Sequence, residues 1–272
     1  MNIVIHYLNI IIFHAERKEY AMKKTLFTLG IAMFAAVFCC GCALFNGGIC
    51  TTTELEVRRA VVPVKIDGKI NDEAWKSAKA YPMFIPNDRL RTLWNNRPFQ
   101  EGVVQLAYDD NYIYVLAKMV DDDLVQYGEN STHLYSRGDT FEFFLLNPEN
   151  GHYWEIYGSA NNKSTVMFFE NGGKRIFPEA IQQKDKIELG VTVNGTLNNS
   201  KDEDTNFIVE MAIPMSIIKS KGDVFTPGTN WKILCARYNY SKSLYEFELT
   251  STSVMPKANW HDRKSYLPVV FK

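Results

Sequence analysis

Three sets of residues have types and spacings that could do chemistry. The first is carboxylate. Asp121-Asp122-Asp123 closes an apolar run, and Asp139 and Glu142 lie three apart in Gly138-Asp139-Thr140-Phe141-Glu142-Phe143-Phe144-Leu145. Hard cations take several carboxylate oxygens, so the triple Asp is a candidate structural calcium site. It lacks the spacing of an EF-hand loop, and the plainer reading is a solvated turn at a strand end. Glycoside hydrolysis needs two carboxylates across a cleft. Residues three apart on a strand point to opposite faces, so Asp139 and Glu142 cannot face each other. The second set is Cys39-Cys40-Gly41-Cys42. As a C-x-x-C motif it has neither a second pair for zinc nor the strand-to-helix setting of a redox site. The third set is two tryptophans in polar loops, Trp94 in Thr92-Leu93-Trp94-Asn95-Asn96-Arg97 and Trp260 in Lys257-Ala258-Asn259-Trp260-His261-Asp262. Core packing explains such neighbours poorly. No G-x-S-x-G, H-E-x-x-H, phosphate-loop or dinucleotide pattern occurs, which argues against an enzyme.

What precedes the cysteine cluster explains it. Met22-Lys23-Lys24 is basic, residues 25–38 are apolar but too short to span a bilayer comfortably, and Gly41 stands before Cys42. This is the layout of a signal peptide (22–42) ending in a bacterial lipobox, with Cys39 where Leu is usual. Cys42 is the expected acylated anchor, with Cys40 the weaker alternative. Ala43 rather than Asp follows it, which points to a lipid-anchored protein of the outer membrane or cell surface, otherwise a secreted or periplasmic one. Residues 1–21 read as an upstream start assigned too early. The alternative, a first membrane helix, is poorly served by an apolar stretch covering only residues 3–13. Residues 43–53, with Gly47-Gly48 and three threonines, read as a flexible tether.

Residues 54–272 are then one large β domain. Its elements follow from alternation and turn residues. Residues 60–66 are β-rich, with Pro63 suggesting an edge, and Asp67-Gly68 is a turn. Asn71 or Asp72 can cap a short helix whose inward face offers Trp75. Residues 103–108 and 112–120 flank Asp109-Asp110-Asn111 as a hairpin. Further strands are expected over 139–147, 152–160, 164–170, 187–193, 207–213, 231–240, 245–251 and 266–271. In the first of these, Phe141, Phe143 and Leu145 share one face, and Glu142, Phe144 and Leu146 the other. About ten short strands and almost no helix predict an all-β, antiparallel sandwich. The charge balance, 30 Lys and Arg against 31 Asp and Glu, argues against nucleic acid or an anionic membrane surface as partner. Any membrane attachment runs through the lipid. Cys235, in an apolar strand, reads as a buried free thiol.

The order of these pieces resembles the family 9 carbohydrate-binding modules. The resemblance is carried by Ile66-Asp67-Gly68-Lys69-Ile70-Asn71-Asp72-Glu73-Ala74-Trp75, by the hairpin Leu106 to Val115 running on to Asp121-Asp122-Asp123, and by the acidic-aromatic strand after Arg137. It continues through Phe207-Ile208-Val209-Glu210-Met211-Ala212-Ile213-Pro214, Gly228-Thr229-Asn230-Trp231, Arg237-Tyr238-Asn239 and the closing stretch Trp260-His261-Asp262 to Phe271. It implies a jelly-roll-like β-sandwich that binds a poly- or oligosaccharide without catalysis, in the service of glycan capture and catabolism, with glycan-degrading enzymes as associates.

Modules of that family grip a sugar between aromatic plates and pair its hydroxyls with charged and amide groups, a sound use of a pyranose's apolar face and polar edge. Here the plates would be Trp94 and Trp260, with Arg137, Asn259 and Glu142 as polar partners. Each has a plainer reading. Arg137 can pair with Asp139 across the turn, Glu142 can face solvent, and Trp154 and Trp231 read as core. Calcium, as a structural ion in relatives of the fold, keeps Asp121, Asp122 and Asp123 in view. A haem or electron-transfer module is the alternative on the same fold, with His152 and Met119 or Met167 as conceivable ligands, though no C-x-x-C-H occurs. An accessory of glycoside hydrolases with no ligand of its own is a third reading.

Overall fold

The computed structural model describes residues 51–89, 98–129, 133–170, 175–176, 186–244 and 246–272. Cys42, the signal peptide, residues 43–50 of the expected tether, and Trp94 lie outside them. Among the described residues the chain forms thirteen strands and two α-helices of five residues each, so the fold is all-β as the alternation predicts. Among the described residues no helix is long and apolar enough to cross a membrane.

The strands are β1 (Leu55–Arg59), β2 (Tyr81–Pro82), β3 (Gly102–Tyr108), β4 (Tyr112–Val120), β5 (Thr140–Leu146), β6 (Tyr153–Ser159), β7 (Ser164–Phe169), β8 (Arg175–Ile176), β9 (Glu188–Asn194), β10 (Asn206–Pro214), β11 (Lys232–Asn239), β12 (Glu248–Ser251) and β13 (Leu267–Phe271). The helices are α1 (Glu73–Ser77) and α2 (Met215–Lys219). The hydrogen-bonded path runs β8-β7-β6-β5-β11-β13-β1-β3-β4-β10-β9, with β12 on β11 and β2 on β3. It comprises two antiparallel arrays joined by β1, which pairs in parallel with both β13 and β3.

β1 corrects the sequence reading. Residues 60–66 form no strand, because Pro63 has no N–H to give a ladder and Val61 stands 98% exposed. The pairing strand lies just upstream, where Leu55 and Val57 are fully buried. The expected hairpin is present, with Tyr108 opposite Ile113. Its turn is fixed by Asp109, whose carboxylate accepts the N–H groups of Asn111 and Tyr112 and the Tyr114 hydroxyl.

The main apolar cluster takes side chains from both arrays, among them Leu106, Val115 and Met211 from one and Phe141, Trp154 and Cys235 from the other. Trp231 is buried there too, as expected. The outer face of the β3-β4-β10 array is covered by α1, whose Trp75 packs with Tyr114, Leu116 and Ile208. The Trp75 indole donates to Glu210 Oε1 at 2.7 Å. Glu210 Oε2 accepts the N–H groups of Asp67 and Gly68, both at 2.9 Å. Gly68 has φ +74°, and a Cβ there would lie 2.9 Å from the Val191 carbonyl carbon. The turn therefore needs glycine twice over. Asp72 occupies the N-cap of α1 without a side-chain capping bond. Its carboxylate instead accepts the Lys65 N–H.

The outer face of the other array is also apolar. Phe144 and Leu146 of β5, Tyr153 and Tyr157 of β6, Met167 and Phe169 of β7 and Leu234 of β11 make a second buried cluster with Leu134, Met255, Trp260 and Tyr266. An outward face this rich in aromatic rings is the informative departure from a sheet that is wet on one side.

Candidate ligand-binding face

Register places the polar groups on this outer face. Glu142 lies opposite Tyr157 on one side and Ala236 on the other, and Glu155 lies opposite Phe144 and Met167. Glu142 and Glu155 are therefore diagonal neighbours on adjacent strands, within reach of each other. Both are buried, Glu142 at 1% exposure. The Tyr157 hydroxyl donates to Glu155 Oε1, while Glu142 Oε1 has no hydrogen-bond partner among the described residues. Burial, reinforced by the Glu155 charge, holds the Glu142 carboxyl well above the usual carboxylate range, and Tyr157 draws it back only in part. Burial, with the charges of both glutamates, likewise drives the Tyr157 phenol upward.

Aromatic rings surround this pair. Tyr135, from the 3-10 turn Leu134–Ser136, packs edge-on against Tyr157 with centroids 6.2 Å apart and lies 5.1 Å from Tyr238. Tyr238 meets Trp260 at 89° and 6.3 Å. The Tyr266 hydroxyl donates to the Trp260 carbonyl at 2.7 Å, which folds the closing loop back onto the face. His261 Nδ1 lies 3.2 Å from the Tyr153 hydroxyl and 4.0 Å from Glu155 Oε2.

Of the residues singled out in sequence, Glu142 and Trp260 share this cluster's face. Trp260 is only 5% exposed, and its indole N–H, like Glu142 Oε1, has no partner among the described residues. Asn259 sits beside Trp260, exposed, its side-chain oxygen accepting the His261 N–H. Arg137 is exposed at the end of the turn that carries Tyr135. It does not pair with Asp139, whose buried carboxylate accepts the N–H groups of Val125 and Tyr240. Glu142 does not face solvent either, since the closing loop and the 3-10 turn cover the face. Sequence reading passed over Glu155, although period two in Tyr153-Trp154-Glu155-Ile156-Tyr157 sets it opposite Trp154, which is core.

The Asp run is not a solvated turn. All three residues are buried, and their carboxylates go to separate partners. Asp121 pairs with Arg237 Nη2 at 2.8 Å, Asp122 accepts the Ser241 and Ser243 hydroxyls, and Asp123 accepts the Lys242 N–H. Among the described residues no three His, Cys, Asp or Glu side chains converge as cation ligands. Arg237 already supplies positive charge to Asp121, so this arrangement does not fit a calcium ion. The conceivable haem ligands are equally scattered. His152 pairs with Asp223, Met119 lies in the main core and Met167 in the outer cluster.

Comparison with known proteins places the fold. The family model described as carbohydrate family 9 binding domain-like matches residues 66–267. A family 9 carbohydrate-binding module from Caldicellulosiruptor kristjanssonii, solved with cellotriose, superposes with a TM-score of 0.54 at 18% identity, covering 80% of this chain and 93% of that one. The structure titled as that organism's module with glucose gives 0.51 at 18%, covering 80% and 95%. A structure titled as a putative carbohydrate-binding protein from Bacteroides uniformis gives 0.59 at 14%, covering 81% and 99%. No curated protein matches. With three quarters of its length matched by the family model, the chain belongs to the carbohydrate family 9 binding domain-like family.

Proposed function

We propose that this chain is a non-catalytic, carbohydrate-binding lipoprotein whose ligand site is the outer face of the β5-β6-β7-β11 array. One observation carries the reading. A carboxylate oxygen of Glu142 and the indole N–H of Trp260 are both buried without a partner, on a face otherwise built of aromatic rings. Buried polar groups in native proteins are nearly always satisfied, by protein or by ordered water, so two unmet groups on one aromatic face call for a partner. An acceptor and a donor beside aromatic plates are what a sugar hydroxyl edge and its apolar face would use. The structural relatives with cellotriose and glucose support a saccharide as ligand. Trp94 would add a second plate, and Arg137 and Asn259 the polar rim.

The two joined arrays around one core are read as a jelly-roll-like sandwich. Glu142 and Glu155 do not suit glycoside hydrolysis. They lie side by side on one face and share the Tyr157 phenol, whereas a hydrolase pair flanks the scissile bond. Anchoring through Cys42, after removal of residues up to Gly41, would hold the domain on a 43–53 tether at the outer membrane or cell surface. There it would capture polysaccharide for catabolism, alongside glycan-degrading enzymes. Titration of the protein with a glycan panel by calorimetry tests the binding. Saturable binding to one class supports it, and none by folded protein refutes it. Palmitate labelling that Cys42→Ala abolishes tests the anchor.

A further inference from the structure

The β11–β12 pair inverts the usual sheet pattern, in which polar side chains face water and apolar ones the core. Arg237 and Asn239 of β11 are fully buried and donate to the Gln100 carbonyl and side-chain oxygen. Glu248 of β12 is buried too, its carboxylate accepting the Phe99 and Gln100 N–H groups. Period two therefore sends Tyr238, Tyr240 and Phe247 to the outer side. There Tyr238 and Tyr240 are partly exposed and Phe247 is 40% exposed. Aromatic rings left outside while polar groups are buried beneath them are an informative departure. The rings are also nearly parallel. Phe247 is inclined 19° to Tyr240 with centroids 5.2 Å apart, and 25° to Tyr238 at 6.2 Å. The Tyr240 hydroxyl donates to the Tyr135 carbonyl at 2.8 Å, which ties the 3-10 turn to these strands. Trp260 meets Tyr238 at 89°, so it does not extend the set.

Resting on the carbohydrate reading, we propose that Tyr238, Tyr240 and Phe247 form an open strip that holds successive units of an extended glycan chain, outside the covered cluster. The strip lies at the surface, so no part of the ligand has to pass beneath the closing loop. Pyranose units present apolar C–H faces that pack on aromatic rings, and their hydroxyls stay in water at the edges. The area suits a chain rather than a protein or a second copy. Three rings this exposed offer no more than about 300 Å², against about 800 Å² per partner in a standard protein–protein interface. Each ring contact is small, so binding must grow with the number of units engaged.

The test is calorimetric titration of the full-length protein with trimers and hexamers of β-1,4-linked glucose, xylose and mannose and of α-1,4-linked glucose. In at least one series the hexamer should bind tighter than its trimer by about tenfold or more. Phe247→Ala, in protein shown folded by near-ultraviolet circular dichroism, should lower that gain about fivefold, the worth of roughly 40 Å² of apolar ring. Phe247→Tyr, which keeps an aromatic ring, should retain the gain. A hexamer no tighter than its trimer in every series that binds overturns the strip and leaves the carbohydrate reading standing. Binding in none of the four series overturns both. A gain that is unchanged in folded Phe247→Ala places the added units on another surface and also overturns the strip.

Discussion

Asp121 and Glu142 are both withdrawn from water, but Asp121 lies against an arginine and Glu142 against another carboxylate. Around Asp121 the carboxylates are met by Arg237, the Asp123 N–H, the serine hydroxyls of residues 241 and 243, and the N–H groups serving Asp139, although Asp123 Oδ1 has no partner among the described residues. Burial still pushes Asp121 up to about 6, with Arg237 opposing it. Around Glu142 the protein offers a phenol and leaves one oxygen unmet. The first cluster holds the ends of β4, β5 and β11 together. The second is destabilising as it stands, and the proposed ligand would complete it. Compensated burial builds structure, and the proposed site is placed where an aromatic face leaves burial less compensated.

The comparison can be broken at its strong end. Arg237→Met leaves Asp121 and Asp139 without their cation and should cost about 3–5 kcal/mol in denaturant unfolding. A loss below about 1 kcal/mol would mean the ion pair is not what holds the cluster. Glu210 is an intermediate case, compensated by one indole and two backbone N–H groups. Trp75→Phe removes one of those three donors and should cost about 1–3 kcal/mol.

Glu142→Gln should go the other way. A carboxyl held above its unfolded value contributes stability fully present below that value, ordinarily 4.5, and lost as pH rises through the folded one. The wild type should therefore lose stability from acidic to basic pH. Glu142→Gln should remove part of that slope, seen as a midpoint that rises relative to wild type more at pH 8 than at pH 5. An unchanged slope would place the raised affinity for protons elsewhere. At the weak end, Arg59 and Asp110 pair in full solvent, and Asp110→Ala should leave the thermal midpoint where it was.

Period two and turn chemistry made much of this legible. The Asp109 turn, the opposed faces of Phe141 and Glu142, and the burial of Trp75, Trp154 and Cys235 all follow from local spacing. β1 was not legible, because a strand paired in parallel on both sides has partners about 50 and 210 residues away and no hairpin to announce it. Trp260 looked like an exposed plate because its neighbours are polar. The loop is folded inward by Tyr266 and Tyr238, contacts that sequence spacing does not encode. The Asp run looked solvated because Arg237, its compensating cation, lies more than a hundred residues downstream.

The most direct test of the central claim is the indole N–H resonance of Trp260. The chain has five tryptophans, and Trp260→Phe assigns the signal in a 15N-labelled sample. Titrated with a glycan that binds, the Trp260 resonance should shift saturably as its N–H gains an acceptor, while Trp154 and Trp231, buried in the main core, stay in place. Glycan binding that leaves Trp260 unmoved would contradict the account and put the ligand on another surface.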